Sequence, residues 1–226
     1  MRKKLIIILC GISIISLISG SFIYVKNKNH SKSIATNTIN ENDSNITYNE
    51  EDILKKIKEI NKSLGGEDAE ELVEHSKKVK EISLILFDEL GMDEKYKDIV
   101  GISALLHDIQ KHTGDEHNKI GAEYLEENID EFLNCDDKAK ELIILAVRWH
   151  KGSKYTKEIK DENYLKVVEI VRAADKIAKL FKDNNSTLDE NKLEAESKID
   201  ELQNSDIKEA SYKLIDEYYN ELNNQS

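Results

Sequence analysis

The sequence predicts an all-α domain. Apolar residues recur at spacings of three and four from Ile53 to Leu222, and no segment alternates with period two for long enough to demand a strand. The 226 residues include no proline and nine glycines, too little punctuation for a turn-rich β sandwich. That length allows one compact domain plus a tail, or two very small ones. Two cysteines, Cys10 and Cys135, rule out a disulfide scaffold and any multi-cysteine zinc cluster.

Charge divides the chain. Residues 1–34 carry Arg2, Lys3, Lys4, Lys26, Lys28 and Lys32 and no acid. Removing that +6 from the formal total of −12 leaves −18 on the rest. So acidic a body excludes nucleic-acid binding through a broad basic surface.

Within the basic end, the 21 residues from Leu5 to Val25 hold no ionisable group except the Cys10 thiol and the Tyr24 phenol. As a helix they would span about 31 Å, the thickness of a bilayer core. Residues 1–26 are therefore expected to be a single-pass transmembrane anchor, with contact to the membrane through 5–25. A cleaved secretory signal is the rival reading, because Ser19-Gly20-Ser21 offers small residues at its end. About four positive charges precede the run, counting the α-amino group, against Lys26, Lys28 and Lys32 after it. The bias is slight and favours a body outside the cytoplasm. Residues 27–49, rich in Asn, Ser, Thr, Lys and Glu, are expected to be a flexible tether.

Residues 50–226 are expected to form the helical body. Ile53, Ile57 and Ile60 mark a first helix closed by Gly65-Gly66. Asp68 is a candidate N-cap for a second, whose inward stripe runs Leu72, His75, Val79, Ile82 and Leu86 to Gly91. Further helices are expected over 94–111, 116–128, 137–150 and 162–182, and two charged ones near 188–202 and 206–222.

Polar residues interrupt these apolar stripes. His75 sits on the inward line of the second helix, and His107-Asp108 lies in the nearly apolar stretch from Ile99 to Ile109. His150 continues Ile143 and Val147, and Asp175 continues Val168 and Val171. A single inward histidine is more often a hydrogen-bonded core residue than a ligand. Inward aspartates are harder to dismiss, since an uncompensated buried carboxylate costs several kcal/mol. No inward Lys or Arg stands out to serve all five residues. A divalent metal satisfies them together, because neutral imidazole and carboxylate are its usual ligands.

His75, the adjacent His107-Asp108 pair and Asp175 resemble the H…HD…D signature of the HD-domain metal-dependent phosphohydrolases. The segments "LVEHSKKV", "ISALLHDIQKH", "HNKIGAEYL", "LAVRWHKG" and "IVRAADKI" are similar to that family too, so the resemblance covers about residues 50–182. It implies an all-helical bundle whose first metal site is His75, His107, Asp108 and Asp175. In the subset with two further histidines, a second metal is held by these and bridged by the HD aspartate. His117 and His150 occupy those places. No GYP triplet is present, which argues against a cyclic-di-GMP phosphodiesterase of the HD-GYP type, and "AVRWHKG" is closer to dinucleoside polyphosphate hydrolases.

The chemistry so implied is hydrolysis of a phosphoester or phosphoanhydride in a small, nucleotide-like substrate. The water is activated by two divalent ions drawn from Fe, Mn, Zn, Co or Mg. Asp108 and Lys111 are the candidate catalytic residues. Lys111 is also the candidate substrate cation, against the plainer role of a helix-end lysine. His112 reads as an exposed helix-end residue rather than a partner of Asp108, and Trp149 as core. The alternative is a membrane-tethered metal- or nucleotide-binding sensor with little turnover. A third possibility, a helical adaptor using the last two helices, competes with reading their charges as a solvated face.

Overall fold

The computed structural model describes residues 46–181 and 186–224. Its described part is helical apart from one two-residue pairing, Thr47–Tyr48 (β1) with Leu133–Asn134 (β2), antiparallel. The helices are α1 (Glu50–Ser63), α2 (Ala69–Glu89), α3 (Lys97–Leu106), α4 (His117–Asn128), α5 (Asp137–Trp149), α6 (Tyr155–Glu158), α7 (Glu162–Ile177), α8 (Leu188–Ile199) and α9 (Ser205–Asn223).

α3 lies at the centre because it is apolar all round. Ile99 through Leu106 are buried without a break, and such a helix is stable only with neighbours on every side. It packs on α2, α5 and α7, while α4 lies on α5. α8 and α9 pack on α7, burying Ala195, Ile199, Ile207, Leu214 and Ile215. The last two helices thus share the core, and their charges form only the outer faces.

Start signals are local and polar. Asn49 accepts from Glu51 N, Asp136 from Ala139 N, and Asp161 from Asn163 N and Tyr164 N. Thr187 and Glu190 form a capping box at α8.

Several expectations need correction. Asp68 stands at the N-cap of α2 but makes no capping bond. The helix expected over 94–111 is a 3-10 turn at Glu94–Tyr96, then α3, which ends at Leu106. The helix expected to 182 becomes a 3-10 turn at Ala178–Phe181. Residues 47–49, placed in the tether, pair with β2 and cap α1. α6 carries no periodic signal in four residues, and period two cannot show in strands of two. The anchor expected at 5–25 lies outside the described residues, among which no helix is long and apolar enough to cross a membrane.

Candidate metal centre

Six side chains converge from five parts of the bundle. His75 is on α2, His107 and Asp108 follow directly on α3, and His117 opens α4. His150 follows the last residue of α5, and Asp175 lies in the last turns of α7. The end of α3 matters here. The chain leaves the helix at His107, and Asn61 Nδ2 holds the following turn by donating to Ile109 O at 2.9 Å.

Asp108 is the middle of the cluster. Its Oδ1 lies 3.0 Å from His117 Nε2 and 3.5 Å from His150 Nε2. Its Oδ2 lies 3.4 Å from His107 Nε2 and 4.0 Å from His75 Nε2. Asp175 Oδ1 faces the second pair, 3.2 Å from His75 Nε2 and 3.8 Å from His107 Nε2. The donors form two groups, His75, His107 and Asp175, and Asp108, His117 and His150, each with its ligand atoms within 4.8 Å of one another. Asp108 presents one oxygen to each.

Three of the imidazoles have their tautomer set by backbone. His107 Nδ1 donates to Ala104 O at 2.7 Å, His117 Nδ1 to Gly114 O at 2.8 Å, and His150 Nδ1 to Val147 O at 2.7 Å. In the neutral ring a proton on Nδ1 leaves Nε2 as a lone pair directed inward, the arrangement a metal-ligating histidine needs. Gly114 presents its carbonyl from φ +98°, which L side chains rarely adopt.

A divalent cation fits these residues. His107 Nε2 and Asp108 Oδ1 are buried and have no hydrogen-bond partner of acceptable geometry. Buried polar atoms in that condition cost about 1–3 kcal/mol each. Close approach without alignment is what atoms sharing a central ion would show. The donor set, imidazole with carboxylate, suits first-row transition metals.

The electrostatics are consistent with that fit. Burial works against the Asp108 carboxylate, yet the imidazoles around it hold it well below the usual range. Burial likewise opposes Asp175, and the Lys176 charge and the His75 bond hold it well below. Burial pushes His75 and His150 down. It acts on His107 too, but Asp108 and Asp175 outweigh it and the net shift is upward.

Each carboxylate also has a lysine. Lys111 Nζ donates to Asp108 Oδ2 at 2.8 Å, and Lys176 Nζ to Asp175 Oδ2 at 2.6 Å. Lys111 makes its contact from the 3-10 turn Lys111–Thr113, not from the face of a continuing helix. Sequence reasoning missed Lys176, since helix neighbours at i,i+1 do not face each other; here the long side chain folds back. Lys111, His75 and Asp108 line a cleft of about 160 Å³ with Leu72, His112, Asp68 and Glu71. His112, exposed, packs on Gly66, where any Cβ would meet its ring and approach Asn61 O to 2.8 Å. Trp149 is partly buried against the core.

Residues 72–180 match the family model described as HD domain. By that match this segment is similar to HD domains. It spans all six converging residues and stops short of α8 and α9. No curated protein matches the chain. Among solved structures, the crystal structure of the L. monocytogenes phosphodiesterase PgpH HD domain aligns with 76% of this chain and 97% of that one. The identity is 18% and the TM-score 0.49.

Proposed function

We propose that the protein is a metal-dependent phosphohydrolase of the HD type, cleaving a phosphoester or phosphoanhydride of a nucleotide-like small molecule. The observation that carries this reading is the convergence of four Nε2 atoms on the Asp108 carboxylate, with Asp175 facing two of them and three of the imidazoles with Nδ1 occupied by backbone. In this reading His75, His107, Asp108 and Asp175 hold one cation, and Asp108, His117 and His150 hold a second. Such a pair supplies the positive charge that makes water acidic near neutrality and offsets charge developing on phosphoryl oxygens.

The protein's own groups do the rest. The three backbone-held imidazoles are fixed before ligand arrives, so little reorganisation is needed. Asp108, 1% exposed at its side chain, keeps a fixed bridge between the two donor groups. Lys111, 41% exposed at its side chain, has the reach to leave Asp108 Oδ2 and meet a phosphoryl oxygen entering the cleft. Domain limits follow the same reading: an anchor at 1–26, a tether from 27, and the HD-domain bundle with its two C-terminal helices. The uncharged 5–25 run and its basic flanks support a membrane-held protein whose body lies outside the cytoplasm.

The test is hydrolysis of bis-p-nitrophenyl phosphate and of dinucleoside polyphosphates by the purified chain loaded with Mn2+. Turnover that disappears on chelation and in Asp108→Ala supports the reading. Turnover unaffected by Asp108→Ala refutes it, and stoichiometric metal without turnover on any phosphate compound favours the sensor. Protease accessibility on intact cells reads the orientation: cleavage of the body is the expected result.

A further inference from the structure

Side chains from three different places close the C-terminal end of α5. Val147 O accepts from His150 Nδ1 at 2.7 Å, Arg148 O from Asn118 Nδ2 at 2.5 Å, and Trp149 O from Arg172 Nη1 at 2.6 Å. Such terminal carbonyls are commonly left to water or to a local glycine turn. Here both long-range donors neighbour members of the cluster. Asn118 follows His117, and Arg172 lies three residues before Asp175 on α7.

Arg172 is only 7% exposed, and its guanidinium lies over the Tyr155 ring at 4.3 Å from the centroid. Tyr155 Oη donates to Glu169 Oε1 at 2.8 Å. The fully buried Glu169 also accepts from the backbone N–H groups of Gln203 at 2.6 Å and Asn204 at 2.9 Å. Burying a guanidinium and a carboxylate is costly unless each is well bonded. None of Arg172, Tyr155 or Glu169 lines the cleft at His75 and Lys111, so contact with substrate there does not account for them.

We propose that Arg172 is a positioning residue for His150, seconded by Asn118, and that together they fix the half of the centre made by Asp108, His117 and His150. The inference rests on the two-cation reading above. Holding Trp149 O pins the backbone from which His150 departs, and a cation at the negative end of α5 is favoured by the helix dipole. The same relay ties the 203–204 loop between α8 and α9, beyond the matched HD segment, to a ligand of the centre.

The experiment is a Mn2+ titration of the metal-free full-length protein by calorimetry, comparing wild type with Arg172→Met, Arg172→Lys and Asn118→Ala. The expected result is that Arg172→Met keeps the first ion at unchanged affinity and binds the second about 10–100-fold more weakly. Arg172→Lys should recover most of that loss. Should Arg172→Met fail to fold, Asn118→Ala, which leaves α7 intact, is read the same way and is expected to weaken the same ion. Both ions bound as in wild type, or both weakened equally with no recovery by lysine, overturns the inference. A wild type that binds fewer than two ions overturns the two-cation reading itself, a result distinct from either.

Discussion

His117 Nε2 lies 3.3 Å from His150 Nε2, while the Nδ1 of each ring already donates to a backbone carbonyl. In the neutral rings neither Nε2 has a proton for the other, and two lone pairs face each other beside the Asp108 carboxylate. Only a proton or a cation between them makes the contact favourable.

Cation binding should stabilise the folded chain. At a free concentration of about 100 times Kd, one site adds about 2.7 kcal/mol, which for a protein of this size raises Tm by about 5–10 °C. Differential scanning fluorimetry with Mn2+ against a chelator checks it. Identical melting curves would contradict a bound ion.

Binding should also release protons, and the sign follows from His107. Its imidazole is held above its ordinary value of 6.5, so near pH 6.5 the metal-free protein retains a proton there that an incoming cation must displace. Apparent affinity for Mn2+ should therefore rise as the pH is raised above 6.5 and the His107 proton is lost. Calorimetry in buffers of different ionisation enthalpy counts the protons; heats independent of buffer would contradict the displacement.

Lys111→Met should lower kcat/KM by about 10–100-fold, the worth of a charge-assisted hydrogen bond of about 1.5–3 kcal/mol. Lys111→Arg should retain more of it. Steady-state kinetics on a diester substrate decides, and unchanged kcat/KM in Lys111→Met would assign the lysine to Asp108 alone.

Glu169→Ala should destabilise by about 3 kcal/mol or more, because it leaves the buried Tyr155 hydroxyl and two part-buried backbone donors without their acceptor. Thermal unfolding should show Tm lower by about 6–12 °C. A change under 2 °C would mean the three donors find other partners.

Helices and most of the converging side chains were legible for the same reason: a stripe of spacing three to four declares an inward face, and a polar residue on that face stands out. His75, His107, Asp108, His150 and Asp175 were visible this way. His117 was not, since as the first residue of α4 it has no stripe before it, and it came from the resemblance alone. Glu169 and Arg172 were invisible although α7 buries both. Their partners, Trp149 O, Tyr155 and the Gln203 and Asn204 amides, lie more than ten residues away, and no local pattern announces them. The end of α3 at Leu106 escaped notice because the apolar run continues through Ile109 after the helical hydrogen bonds have stopped.

The most direct test of the central claim is the metal-to-protein ratio by elemental analysis, after equilibration with Mn2+ and gel filtration. Two ions per chain in the wild type, falling to one in His150→Ala, is the expected result. A ratio near zero in the wild type, or one left unchanged by His150→Ala, would contradict it.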